Sequence, residues 1–145
     1  MQSENLKKTI YAAILGAGTV GTGVYKLCQQ MKDEFVQKTG ADLVVKKVLV
    51  RNASKKREGI EDAVLTDNWK EIIEDPEIDI VIEVMGGIEP AKTYIIEALE
   101  AGKQVAMVTL GDVSVYSTAT YVRQILAEKG YATQVIAGIP SFCAG

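Results

Sequence analysis

A glycine-rich turn between an apolar segment and an amphipathic one most constrains how this 145-residue chain can fold. Residues 9–15 are a short apolar run, typical of a buried parallel strand. The next six residues, Gly16-Ala-Gly-Thr-Val-Gly21, match the pattern G-x-G-x-x-G. Apolar residues then recur at helical spacing from Val20 to about Lys38, and Gly40 is placed to end that helix. The pattern alone is weakly specific, but a strand before it and a helix after it make it informative.

Each glycine of this turn has its own mechanical role. Gly16 permits the tight turn, Gly18 lets a pyrophosphate approach the backbone because it has no Cβ, and Gly21 lets the helix pack closely on the strand. The N–H groups at the helix start would face the diphosphate, and the helix dipole would favour its charge. The turn therefore predicts a dinucleotide-binding site, and a glycine-rich turn without a ligand is the alternative.

Further apolar segments continue the alternation of strands and helices. The predicted strands are residues 43–50, 78–84, 104–110 and 132–137. The predicted helices are a short one capped by Asp67, one from Pro90 to about Ala101, and one from a Ser117 or Thr118 cap to Lys129. We expect Gly102 and Gly130 to end the last two. The alternation predicts one α/β domain over residues 1–145, a doubly wound parallel five-stranded sheet with helices on both faces. This is a Rossmann-like fold, and the order 3-2-1-4-5 is favoured.

The residues after the second strand predict which dinucleotide is bound. An NAD-specific domain usually places Asp or Glu there to bind the ribose 2′-hydroxyl. This chain has Arg51-Asn52, followed by Lys55 and Lys56. A guanidinium binds a 2′-phosphate with two hydrogen bonds, whereas a carboxylate would repel it. We therefore expect NADP, with NAD as the alternative, and with Arg51 as first contact and Lys55 or Lys56 as second. For the lysines, a solvated basic loop is an equally good interpretation.

Composition narrows the function classes. The formal net charge is −3, so we expect no nucleic-acid partner. The chain has no histidine, which excludes a His-based triad or His-ligated metal, and we expect no metal. It also has no apolar run near the roughly 20 residues of a membrane span, and no signal-peptide pattern. We expect a cytoplasmic monomer or weak homodimer, with Cys28 and Cys143 reduced.

Four segments carry a family resemblance: residues 16–24, 50–52, 82–90 and 98–103. Over about residues 8–104 the chain resembles the N-terminal nucleotide-binding domain of homoserine dehydrogenase. In that family the cofactor is NAD or NADP, and homoserine and aspartate semialdehyde are interconverted. The resemblance implies that Gly16, Thr19, Val20, Arg51 and the turn Met85-Gly86-Gly87 line the cofactor site.

After Gln104 the sequence departs from that family, which continues with Val-Val-Thr-Ala-Asn-Lys and whose Asn and Lys reach the active site. Residues 105–118, Gly130-Tyr131 and residues 138–143 resemble precorrin-2 C20-methyltransferase, an S-adenosylmethionine-dependent tetrapyrrole methylase. The proline of that family's Gly-Asp-Pro turn is replaced in Gly111-Asp112-Val113. The two resemblances imply an engineered chimera of residues 1–104 and 105–145, with a natural hybrid as the alternative. The methylase resemblance also leaves open an order with the fourth strand between the second and the first.

No catalytic residue is expected in this chain. The substrate domain that homoserine dehydrogenase needs is not expected, because the sequence ends after the predicted fifth strand. Asp112 is interpreted as a residue that caps a helix or finishes a loop, with a general base as the alternative. Glu83 is interpreted as a structural hydrogen-bonding residue, Tyr116 and Tyr121 as packing residues, and Cys28 as inert. The expected function is nucleotide-cofactor binding without turnover. The alternatives are a methyltransferase-like fragment that binds S-adenosylmethionine, which is the less favoured ligand, and a fold-recombination scaffold without a ligand.

Overall fold

Five parallel strands form the sheet of this protein. The computed structural model describes residues 8–85, 89–108 and 113–134, without the side chains of 113–120. The strands are β1 Lys8–Leu15, β2 Ala41–Leu49, β3 Leu65–Thr66, β4 Ile78–Glu83 and β5 Gln104–Met107. Their order is β3-β2-β1-β4-β5, and every neighbouring pair is parallel. The predicted order 3-2-1-4-5 is therefore confirmed.

The described helices cover both faces of this sheet, as predicted. They are α1 Thr19–Gln30, α2 Lys32–Thr39, α3 Lys70–Ile73, α4 Ala91–Glu100 and α5 Val113–Glu128, with a short 3-10 helix at Asp62–Val64. Successive side chains of a strand point to opposite faces. Ile14 of β1 accordingly packs in the cluster that contains Tyr25 of α1. Its neighbour Leu15 packs in the cluster that contains Ile72 of α3 and Ala98 of α4.

The third strand in chain order differs from the predicted one. It is β3, a two-residue edge strand that the sequence did not predict. The strands predicted as third and fourth, at residues 78–84 and 104–110, are therefore β4 and β5. The predicted fifth strand is wrong over residues 132–134, which have no regular secondary structure, and residues 135–137 lie outside the described part. Residues 132–134 are exposed, and Thr133 accepts a hydrogen bond from Arg123 Nε of α5. They therefore lack the buried apolar face that a strand in this sheet needs.

Three helix predictions also need correction. The helix predicted from Val20 to Lys38 is two helices, because Met31 leaves the helical conformation with φ −100° and ψ 21°. Asp67 does not cap α3; instead Asn68 Oδ1 accepts the N–H of Lys70 at 3.0 Å. Helix α5 begins at Val113, upstream of the predicted cap. The predicted ends at Gly40, Gly102 and Gly130 are confirmed, since all three have positive φ.

Two lysines hold the amino-terminal edge of the sheet together. Lys103, only 8% exposed, donates from Nζ to the carbonyl oxygens of Asp75 at 2.6 Å and Ile78 at 2.8 Å. Burial lowers the pKa of Lys103. Lys46 Nζ lies 2.7 Å from Asp75 Oδ2 and 2.6 Å from Glu77 Oε1. The hydrogen bond from Lys46 is the main reason that the pKa of Asp75 is lowered. These contacts lie at the end of the sheet opposite the glycine turn.

Candidate nucleotide-binding site

The carboxyl ends of β1, β2 and β4 meet at one edge of the sheet. Leu15 pairs with Leu49 on one side and with Glu83 on the other. Beyond these pairs, the N–H of Gly16 donates to Leu49 O at 2.9 Å, and the N–H of Val84 donates to Leu15 O at 3.2 Å. The glycine turn, the segment that begins at Arg51 and the segment that begins at Val84 therefore start side by side. Ligands of open parallel sheets bind at such an edge.

The geometry of the three glycines agrees with the mechanical roles predicted for them. Gly16 has φ +113°, which residues with a Cβ rarely adopt, and a Cβ there would lie 3.0 Å from Met85 Cγ. A Cβ on Gly21 would lie 2.8 Å from the carbonyl carbon of Gly16 and closer still to its oxygen. A Cβ on Gly18 would meet no atom of the described chain within 4 Å. Gly16 and Gly21 thus shape the turn, while Gly18 leaves open space beside the backbone.

Helix α1 begins directly at this open space. Gly18 is its N-cap residue, with φ −75° and ψ −158°, and no side chain of the described residues caps it. The N–H of Thr22 donates to Gly18 O at 2.9 Å, so helical hydrogen bonding starts here. Thr19 is exposed and Val20 is half-buried. The first N–H groups of an α-helix have no intrahelical acceptor, and together with the helix dipole they bind anions.

A basic loop follows β2 at the same edge. Val50 is buried, whereas Arg51, Asn52, Lys55 and Lys56 are all exposed. Within the described part of the chain, no acidic side chain lies within ion-pair distance of these cations. The charge that the sequence places after β2 is therefore available to an anionic ligand. The structure brings this loop to the edge that carries the glycine turn, but it holds no ligand that would identify individual contacts.

The segment after β4 forms the other side of the site. Glu83 is buried, and its Oε2 accepts the N–H of Met85 at 2.7 Å, in agreement with a structural hydrogen-bonding role. Met85 is half-buried and lies against Gly16. Sequence reasoning missed Val84, whose Cγ2 would lie 3.4 Å from a Cβ on Gly16 and 3.1 Å from one on Gly21. The sequence signal that could have found it is its position directly before Met85, a residue that the resemblance had already assigned to the site. Gly86 and Gly87 lie outside the described residues.

The other chemically interesting side chains do not join this site. Cys28 is half-buried, and burial raises its pKa, which agrees with an inert thiol. Tyr121 is 47% exposed, so its predicted packing role is wrong: the backbone of α5 turns this position towards solvent. Cys143, Asp112 and the side chain of Tyr116 lie outside the described part. Among the residues that are described, no three potential metal ligands form a cluster, and no helix has the length and hydropathy to span a bilayer.

Comparisons with known proteins agree on one family. Residues 16–133 match the family model described as homoserine dehydrogenase, NAD binding domain. Homoserine dehydrogenase of Bacillus subtilis is 37% identical over 141 residues, covering 92% of this chain and 31% of the relative. That of Lactococcus lactis is 39% identical over 142 residues, with 91% and 32% coverage. A crystal structure of the S. aureus enzyme superposes with a TM-score of 0.71 at 34% identity, covering 86% of this chain and 31% of that one.

The extent of these matches bears on two predictions. The chain spans about a third of the length of the curated relatives it matches. The family match also continues past Gln104 to residue 133, so it does not support a change of family at that point. The interpretation of residues 105–145 as a methylase fragment in a chimera therefore stays a prediction from sequence alone.

Proposed function

The chain belongs to the homoserine dehydrogenase family through its NAD-binding domain, and on that premise we propose that it binds NADP(H) at the carboxyl edge of its sheet. The observation that carries the proposal is the geometry at Gly18. The start of α1 combines open space where a Cβ of residue 18 would lie with helix N–H groups that no described side chain caps. We assign the diphosphate to the turn formed by Gly16, Gly18, Thr19, Val20 and Gly21.

The preference for NADP over NAD is proposed from the chemistry of the loop after β2. Arg51 stands where a carboxylate would bind the 2′-hydroxyl of NAD, and it is exposed without a described acidic partner. We assign the 2′-phosphate to Arg51 and Asn52, with Lys55 or Lys56 as second cation. Met85, with Gly86 and Gly87, is assigned to the side of the cofactor that faces β4.

We further propose that residues 1–145 bind the cofactor without turning over a substrate. A bound nicotinamide would exchange a hydride with a substrate held beside it. The Asn-Lys pair that reaches the active site in homoserine dehydrogenases does not occur in the segment after Gln104 of this chain. We therefore assign the oxidoreductase activity named for the relatives to longer proteins that contain such a domain, and not to residues 1–145 alone.

Calorimetric titration of the whole chain with NADPH, NADH and S-adenosylmethionine tests these proposals. We expect saturable binding of NADPH, weaker binding of NADH, and only the heat of dilution for S-adenosylmethionine. Arg51→Asp should remove the preference for NADPH. Lys38→Asp, which changes the net charge equally at the exposed end of α2, should leave it intact. The absence of saturable NADPH binding at millimolar concentration would refute the proposal.

The methyl-donor alternative depends on Gly111, Asp112 and residues 138–141, which lie outside the described residues. No structural observation favours it over NADP(H). It is covered by the same titration, because saturable heat with S-adenosylmethionine and none with NADPH would replace our proposal with it.

A further inference from the structure

The basic loop after β2 contains a defined turn. The N–H of Lys55 donates to the carbonyl oxygen of Asn52 at 3.3 Å. A hydrogen bond of this kind closes a four-residue β-turn, whose first and last Cα atoms lie within about 7 Å of each other. Arg51 directly precedes this turn and Lys55 closes it. The turn therefore returns the backbone at Lys55 to within about 7 Å of Asn52, the residue that follows Arg51.

The side chain of Asn52 stabilises this turn from inside. Its Oδ1 accepts the N–H of Ser54 at 3.0 Å and the hydroxyl of Ser54 at 2.6 Å. Such Asx turns restrict the backbone that follows the asparagine. Because Oδ1 accepts both bonds, this oxygen of Asn52 is already engaged within the loop before any ligand binds.

The position of the turn relative to the sheet is also fixed. Val50, just before it, is buried, and its N–H donates to Thr66 O of β3 at 2.8 Å. Ala53, inside the turn, packs against the buried cluster on the α1 face of the sheet. Val50 and Ala53 are thus held to the core, while Arg51 and Asn52 between them are exposed.

Lys56 is placed differently, although it carries the same charge. It follows the closing hydrogen bond, and among the described residues no hydrogen bond or ion pair ties its backbone or side chain to the turn. We propose that the turn from Asn52 to Lys55 selects Lys55, and not Lys56, as the second cation for the 2′-phosphate, with Asn52 as the positioning residue. This inference rests on the proposed NADP(H) function and makes its 2′-phosphate site specific.

The two lysines provide a matched pair for the test. Dissociation constants for NADPH and NADH are measured by calorimetry on the whole chain carrying Lys55→Gln or Lys56→Gln. Loss of one charge-assisted hydrogen bond predicts about a tenfold weaker NADPH affinity for Lys55→Gln. Lys56→Gln should change it less than about twofold, which is the effect of an exposed charge without a defined contact. NADH, which has no 2′-phosphate, should bind equally to both variants.

Asn52 is tested through its coupling to Lys55. Asn52→Ala should weaken NADPH binding and leave NADH affinity unchanged, while loss of the two bonds to Ser54 lowers the thermal midpoint by only a few degrees. In the Asn52→Ala background, Lys55→Gln should reduce NADPH affinity by a smaller factor than it does alone, because the lysine has already lost its position. Asn52→Ser keeps an acceptor oxygen for the turn and should recover part of the affinity. A purely structural role would lower NADH affinity by the same factor as NADPH affinity, which would overturn the positioning role.

The outcomes separate this inference from the function on which it rests. The inference is overturned if Lys55→Gln and Lys56→Gln weaken NADPH binding equally, or if the effects of Lys55→Gln and Asn52→Ala on NADPH affinity are fully additive. The proposed function still stands in that case, provided that Arg51→Asp abolishes the NADPH preference. If the unchanged chain bound neither dinucleotide, the function and the inference would both be overturned.

Discussion

Two glycines of the same helix should respond in opposite ways to one added methyl group. Gly21 and Gly23 both lie in α1. A Cβ on Gly21 would lie 2.8 Å from the carbonyl carbon of Gly16 and 3.1 Å from Val84 Cγ2. A Cβ on Gly23 would meet nothing described within 4 Å. We therefore predict that Gly21→Ala destabilises the fold, whereas Gly23→Ala stabilises it.

The magnitudes follow from two opposing effects. Glycine to alanine inside a helix is favourable by about 1 kcal/mol, and Gly23→Ala should show about that gain. At Gly21 the same gain is opposed by overpacking, which typically costs about 1–3 kcal/mol. The neighbour is a backbone carbonyl at the end of β1, which cannot rotate away as a side chain would, so we expect the upper end of that range. The two variants should then differ by about 3 kcal/mol, or roughly 9 °C in Tm for a chain of this size.

Urea unfolding followed by far-UV circular dichroism measures both values, because both variants keep the secondary-structure signal of the folded state. Gly23→Ala is the matched control for helix propensity and for the chemistry of the substitution. Equal stability of the two variants, or a more stable Gly21→Ala, would refute the claim that α1 packs directly against the carbonyl of Gly16.

Three further outcomes are expected. Gly18→Ala should change Tm by less than about 2 °C, since its Cβ meets nothing and its backbone is extended, yet it should weaken NADPH binding at least about tenfold in calorimetry. Lys103→Met should lower the free energy of unfolding by about 2 kcal/mol in urea, because the carbonyls of Asp75 and Ile78 lose a buried donor. The lowered pKa of Asp75, due mainly to Lys46, contributes stability that is complete above about pH 4 and is lost as pH falls through its folded-state pKa. Asp75→Asn should therefore flatten the fall in Tm between about pH 5 and pH 2, and an unchanged slope would contradict that assignment.

The parts of the fold that sequence predicted are those in which local pattern and tertiary contact agree. Residues 12–15 of β1 are buried on both faces, as the apolar run implied, and Gly16 and Gly21 have the geometry that their spacing required. The order 3-2-1-4-5 is that of the Rossmann-like fold that the sequence indicated, although β3 rather than residues 78–84 holds its third position. At the site, the pattern placed the glycine turn and Arg51 at one edge because parallel strands share their carboxyl ends.

The parts that sequence did not predict are decided by contacts that leave no periodic pattern. The two residues of β3 are too few for alternation, and they become a strand only by pairing with β2. The break at Met31 lies inside a continuous helical pattern. The Asn52–Ser54 contact was also missed, because a polar loop sequence does not show which acceptor a side-chain donor will choose. Each of these depends on geometry between particular atoms rather than on residue type.

The uncapped start of α1 has a consequence for how stability and binding are balanced in this domain. Ser, Asn or Asp at the N-cap position typically stabilises a helix by about 1 kcal/mol relative to Ala, and none of them occupies position 18. Any of these side chains would fold over the very N–H groups that an anion needs. Without a side-chain cap, the positive end of the α1 dipole faces the open space beside Gly18. If NADP(H) binds there as we propose, the ligand caps the helix in place of a side chain, and binding then shifts the folding equilibrium towards the folded state.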